Sequence, residues 1–317
     1  MIFPLYVVVA TAGRDSLLHH TLCSLNNCAK PLNFKGVIVV ENGSKNDVEK
    51  IVLAEELSNL QIQYLYSPIP SKSNALNIAI RILGEEDALI FFTDDDVLFG
   101  DEVLESYSSV GSRYGHGHFF GGPLERTPES ALPANWMIPL LPLSVLGWEP
   151  RESLATTFFL GCNWAAFRSD IEALKGFNMQ FGPGSVYGAV GQETNMQTRL
   201  IADGCISVYV EKAIVAHRVS LETMSIRWIL NRQMKAGIYI GLSTIDCAVR
   251  YDRSCAGNRK PLVIDSTVKL SGADRIKFTI LKTMAICARA VGQLKGTLVR
   301  LYLEGGEPSR ATSKIGF

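Results

Sequence analysis

Over the first hundred residues, apolar β-type runs alternate with helical ones, and few architectures accommodate that pattern. LYVVVAT (5–11) is a continuous apolar run. It is followed by RDSLLHHTLCSLNNC, in which Leu18, Leu22 and Leu25 fall at helical spacing. GVIVVENGS (36–44) is a second buried strand that ends on the turn-forming pair Asn42-Gly43. A polar, Glu-rich helix over 46–58 leads to a third strand, IQYLYS (62–67). SKSNALNIAIRIL (71–83) then sets Leu76, Ile80 and Leu83 on one stripe, and DALIFFTDDD (87–96) is the fourth strand. Such strands, separated by helices, predict a mostly parallel sheet covered on both faces. Ligands bind these sheets at the carboxyl ends of the strands, so Thr11–Arg14, Glu41–Ser44 and Asp94–Asp96 are expected to line one crevice.

The fourth strand poses a question, because Asp94, Asp95 and Asp96 repel one another and Asp is depleted in strands. Either the chain needs a solvated turn there, or something positively charged sits against it. Asp94 and Asp96, two apart, can point the same way and offer hard oxygen ligands to Mg²⁺ or Mn²⁺. A turn capping the next helix is the plain alternative. The apolar strand that feeds into three aspartates, fourth in an alternating series, favours the ion.

Bulk composition narrows the partners. Lys+Arg and Asp+Glu number 31 each in 317 residues, so no global field attracts nucleic acid. The seven cysteines are scattered without a CxxC pair, which suits a reduced, cytoplasmic protein. MIFPLYVVVATAGR lacks a basic leader region and reads as a first strand. The stretch LPANWMIPLLPLSVLGW (132–148) is broken by prolines and reads as a buried loop or lid.

The order VVVATAGR, VIVVENGS, SKSNALNIAI, LIFFTDDDV, FLGCNWAAFRSD, GFNMQFGPGS, GQETNMQTRLIADG, YVEKAIVAHRV resembles the family 2 nucleotide-sugar glycosyltransferases with the GT-A fold, over roughly residues 5–235. The resemblance implies an α/β fold with a Rossmann-like nucleotide-binding half (1–100), an acceptor-binding and catalytic half (101–250) and a helical extension and tail (251–317). It implies an inverting, metal-dependent transfer of sugar from a nucleotide-diphosphate donor, UDP first and GDP or dTDP as alternatives, onto a glycan or lipid-linked acceptor. Thr11, Ala12 and Arg14 match the nucleotide-cradling loop, and Glu41 and Asn42 the base-contacting turn. Lys72, Asn74 and Asn77 match the element near the diphosphate. Asp94 and Asp95 fall in the DxD region, with Asp96 as metal ligand and Asp94 as ribose contact and second ligand.

GQETNMQTRL resembles the stretch that carries the family's catalytic base, and it places Glu193 at that position, with Gln192 where a first acid usually stands. Glu193 also reads simply as a first-turn helix residue. His217 is a further candidate metal or diphosphate contact, or a structural histidine. His116 and His118 read as a loop pair. Trp164 and Asn163, in GCNWAAF, match the acceptor-side element together with Gln192; Trp136 and Trp148 border the same side or fill the core. A non-catalytic nucleotide-sugar- or glycan-binding protein that keeps the fold is the second reading.

Ile280, Met284, Cys287, Val291, Leu294, Leu298 and Leu301 recur at alternating steps of four and three, and every charge from Arg275 to Leu303 is positive. This basic amphipathic helix over 274–303 can lie on an anionic membrane at the inner face, form a homodimer seam, or pack on the catalytic domain.

Overall fold

The computed structural model describes residues 2–127, 133–150, 158–243, 259–260 and 270–305. Its centre is a seven-stranded sheet of β1 (Leu5–Thr11), β2 (Phe34–Asn42), β3 (Ile62–Ser67), β4 (Leu89–Thr93), β6 (His118–Gly121), β9 (Trp164–Phe167) and β10 (Ile206–Tyr209), in the order β10-β6-β9-β4-β1-β2-β3. Strands β3, β2, β1 and β4 run parallel, β9 is antiparallel to both neighbours, and β6 and β10 are parallel to each other. Helices α1 (Asp15–Asn27), α3 (Lys72–Ile82) and α4 (Val103–Tyr114) cover the faces, as the apolar runs require. Val7, Val8, Val9, Val37, Val39 and Phe91 are buried. The mostly parallel α/β sheet expected from the sequence is therefore present.

Register fixes where the polar turns meet. Val9 pairs with Val39 and Thr93, and Thr11 with Glu41, so the ends of β1, β2 and β4 open on one edge. Gly43, at φ +86°, turns the chain after β2, a conformation an L side chain resists. A three-stranded sheet of β5 (Val97–Phe99), β11 (Val215–His217) and β7 (Leu124–Arg126) starts where the aspartates end, and β11 runs antiparallel to β5 with His217 opposite Val97.

Two local expectations change, and a third stretch divides between sheets. The helix over 46–58 is a short α2 (Val48–Val52) followed by a 3₁₀ segment, Glu55–Leu60, with Leu57 and Leu60 buried. CISVYVEKAIVAHRV is two strands, β10 and β11, divided by a turn at Glu211-Lys212 and belonging to different sheets. The proline-broken stretch forms a 3₁₀ turn (Ile138–Leu140) and α5 (Leu143–Leu146), whose Leu141, Val145 and Leu146 join a second apolar cluster with Val219, Met224, Ile229 and Leu281. The remaining elements are α6 (Arg168–Ala173), α7 (Gln192–Ala202), α8 (Ile226–Leu242), α9 (Gly272–Gly305) and the two-residue pair β8 (Glu149–Pro150) and β12 (Arg259–Lys260). The domain boundary expected near residue 250 lies outside the described residues.

Helix α9 packs along α8. The contact runs through Gly237 and Gly241 of α8 and Gly292 and Gly296 of α9, where a Cβ at any of the four would overlap backbone of the other helix. Phe278, Leu281, Ala285 and Ala288 continue this seam. The apolar stripe from Ile280 to Leu301 faces outward, so of the three readings offered for it, packing on the rest of the chain is not made through this face. Among the described residues no helix is long and apolar enough to cross a membrane.

Candidate active site

The question raised by the three aspartates has a direct answer: cations do sit against them. Asp95 is fully buried; Thr11 Oγ1 donates to its Oδ2 at 2.6 Å, and the Arg14 guanidinium pairs with its Oδ1. Arg14 Nη1 also donates to Asp96 Oδ2 at 2.6 Å. The antiparallel pairing of β11 with β5 brings His217 Nε2 to 3.4 Å from Asp96 Oδ1. Lys72, in the first turn of α3, reaches Asp94 Oδ1 at 2.5 Å and Glu193 Oε1 at 2.8 Å. One ammonium thus joins the end of β4 to the start of α7.

These contacts set the charge states. Burial pushes the Asp95 carboxyl up to about 6, although Arg14 and Thr11 oppose it. Burial would raise Asp96 as well, but His217 and Arg14 outweigh it and hold the carboxyl down at about 2. Burial depresses the His217 imidazole, and Asp96 and Asp94 more than reverse that, so it is raised. Burial likewise depresses the Lys72 ammonium, and Asp94 and Glu193 overcome it and raise it strongly.

Glu193 stands in the first turn of α7, behind Gly191 at φ +90°. Its Oε1 accepts from Gln192 Nε2 at 2.6 Å as well as from Lys72. The loop before β9 passes so close that a Cβ on Gly161 would overlap the Glu193 carboxylate. Beyond Glu193 lies a cavity of about 450 Å³ lined by Lys72, Asp94, Cys162, Gln192, His217 and Arg232, among others. Burial pushes the Cys162 thiol well up, which disfavours a thiolate nucleophile here. Burial lowers the Arg232 guanidinium, and the charge of Glu193 opposes it. Arg232 was not among the residues expected from the sequence; its place in the positive run RWILNRQMK of α8 was the available signal.

Residues 4–134 match the model of the family described as glycosyltransferase like family 2. That match covers less than half of the chain. No curated protein sequence matches the chain. Its fold is similar to that of the mannosyltransferase PcManGT from Pyrobaculum calidifontis, in complex with GDP-Man and Mn²⁺, at 16% identity and a TM-score of 0.53, over 98% of this chain and 77% of that one. It is also similar to residues 1–349 of S. aureus TarS in complex with UDP, at 14% identity and a TM-score of 0.52, over 97% and 93%. The fold is therefore of the GT-A type.

Within this glycosyltransferase fold the expected site residues separate into two groups. Arg14, Asp96 and His217 form one polar network with Thr11 and Asp95 beneath it, Lys72, Asp94, Gln192 and Glu193 form a second, and adjacent positions 94–96 bring the two side by side, with Ala12 exposed on the rim. The others shape the surrounding loops. Glu41 is fully buried, its Oε1 accepting from the Asn46 amide at 2.5 Å and its Oε2 from Tyr64 at 2.6 Å. Asn42 donates to the Thr11 carbonyl, and Asn74 to Ser67. Asn77 clasps the backbone of Phe177 through both amide atoms.

Burial corrects two expectations. Trp164 has no exposed surface and stacks on Phe92 at 4.9 Å, so it is a core residue and offers no face to an acceptor. Asn163 is equally buried: its Nδ2 donates to the carbonyls of Pro123 and Ala213, and its Oδ1 accepts from Tyr107. Trp148 is also core, and Trp136 belongs to the second apolar cluster beside Lys277. His116 pairs with Asp87 at 2.7 Å.

Proposed function

We propose that the protein is an inverting glycosyltransferase that moves a sugar from a nucleoside-diphosphate sugar to an acceptor hydroxyl. The observation that carries this reading is the position of Glu193: a first-turn carboxylate tied through Lys72 to the aspartates at the end of β4, on the wall of one cavity.

The chain's own groups divide the work. Arg14 and Lys72 supply positive charge where a diphosphate would lie, and a phosphate entering there competes with Asp94 and Glu193 for the Lys72 ammonium. Glu193, released from that contact, accepts the proton of the acceptor hydroxyl as its oxygen bonds to the anomeric carbon. The bond from that carbon to the diphosphate oxygen breaks on the opposite side, and the nucleoside diphosphate leaves. Arg232 faces the same cavity and favours an acceptor that carries an anionic group.

The donor set suits a divalent cation: hard carboxylate oxygens on Asp94 and Asp96, with His217 as a nitrogen donor against Asp96 Oδ1. Mg²⁺ and Mn²⁺ keep several waters and take substrate phosphates as ligands, so one or two protein carboxylates suffice. When bound, the ion acts as a Lewis acid that stabilises the departing diphosphate.

Release of nucleoside diphosphate from UDP-, GDP- and dTDP-sugars, measured with Mn²⁺ present, tests the reading. At least one donor is expected to turn over, with loss on chelation and a fall of about 10²–10⁴ in Glu193→Gln. Binding of a donor without any turnover would instead establish a non-catalytic sugar-nucleotide binder.

A further inference from the structure

Helix α9 shows a face that its packing on α8 leaves open. Ile280, Met284, Val291, Leu294, Leu298 and Leu301 are each 45–62% exposed, and Ile276 and Tyr302 extend the stripe at both ends. At 1.5 Å per residue it runs for about 40 Å. Soluble monomers rarely carry so long a continuous apolar strip. Nothing among the described residues buries it. The α8–α9 pair is also the basic part of a chain whose charges balance overall: it holds nine Lys and Arg against Asp274 and Glu304 alone. The rest of the chain is correspondingly acidic.

We infer that the exposed face of α9 docks on an anionic phospholipid surface. Apolar side chains along the stripe would enter the boundary between headgroups and acyl chains, while exposed Lys277 and Lys295, which lie on the helix in line with Met284 of the stripe, meet the lipid phosphates. Charge decides between this occupant and a second copy. Face-to-face pairing of two α9 helices would set the flanking Lys277 and Lys295 of both copies along the seam, with only Asp274 and Glu304 to offset them. An anionic surface complements them. The glycine seam makes the device rigid, because Gly237, Gly241, Gly292 and Gly296 let α9 lie directly on the backbone of α8. Arg232, on that same α8, lines the cavity that holds Glu193, so docking would bring the cavity close to the bilayer. The inference does not depend on the reaction proposed above, and its test needs no turnover.

Co-sedimentation of the full chain with vesicles provides that test, comparing phosphatidylcholine alone with phosphatidylcholine mixed with phosphatidylglycerol. Binding is expected on the mixed vesicles only and should weaken as salt rises. The triple variant Ile280→Ser/Leu294→Ser/Leu298→Ser and the charge variant Lys277→Glu/Lys295→Glu should each lower the bound fraction at least about tenfold. All five positions are exposed, so the melting temperature should hold and show that the fold is intact. Equal binding to both vesicle types, no binding to either, or full binding by the triple variant would overturn the inference. So would light scattering that shows a wild-type dimer which the triple variant converts to monomer without any lipid binding, since the stripe would then belong to a second copy.

Discussion

Alanine at position 161 should disable the proposed sugar transfer while leaving the fold alone. The Gly161 backbone is outside the left-handed region, so alanine introduces no conformational strain. Its Cβ, however, would lie 2.7 Å from Glu193 Cγ and closer still to the carboxylate. Ordinary carbon contacts are about 3.5–4.0 Å, so the side chain must retreat by about 1 Å. A glutamate can do this by rotation, at little cost to stability, but the carboxylate then leaves the place from which it meets the acceptor hydroxyl. A misplacement of about 1 Å costs about 10²-fold in rate, or about 2.7 kcal/mol at 1.36 kcal/mol per decade. Nucleotide release at saturating donor and acceptor should show this in kcat, with donor KM nearly unchanged because Arg14 and Asp96 are untouched. A Gly161→Ala protein with wild-type melting temperature and kcat within about threefold of wild type would refute the assignment of Glu193 as base.

Other perturbations separate structural from catalytic roles. Asn163→Ala strands the buried carbonyls of Pro123 and Ala213 and the Tyr107 hydroxyl; it should cost about 3 kcal/mol and lower the melting temperature by roughly 5–10 °C, as calorimetry would show. Trp164→Phe keeps an apolar ring on Phe92 and should leave acceptor KM unchanged in steady-state kinetics, whereas a residue that stacked on the acceptor would raise it. Gly292→Val forces α9 off the Met234 carbonyl and should destabilise the helix pair by about 2–3 kcal/mol, read as a lower denaturant midpoint.

Much of this molecule was legible in its sequence, and the illegible parts share physical causes. The sheet could be read because its strands are buried on both faces, which leaves unbroken apolar runs such as Val7–Val9 and Val37–Val40. The crevice could be read because parallel topology gathers strand ends, and Arg14, Lys72 and Glu193 converge on the aspartates as the order of motifs implies. Trp164 misled because an aromatic residue suits a core and a sugar platform equally well, and only burial distinguishes them. Helix α9 was legible as an amphipathic helix, but the face it packs through was not. Hydrophobic periodicity selects the face richest in Ile and Leu, but here the packed seam is made of Gly292, Gly296 and Ala285, which contribute contact through close backbone approach and little hydrophobicity of their own. Arg232 was hidden because a cation in a basic helix gives no sign of which wall it faces.

The account is tested most directly by diffraction from crystals grown with a nucleoside-diphosphate sugar that the protein binds and Mn²⁺, using the Glu193→Gln variant to preserve the donor. The diphosphate is expected between Arg14, Lys72 and the end of β4, with an anomalous manganese peak at Asp94 and Asp96 and residue 193 across the anomeric carbon from the leaving oxygen. A donor seated away from the aspartates, or residue 193 on the same side as the diphosphate, would contradict it.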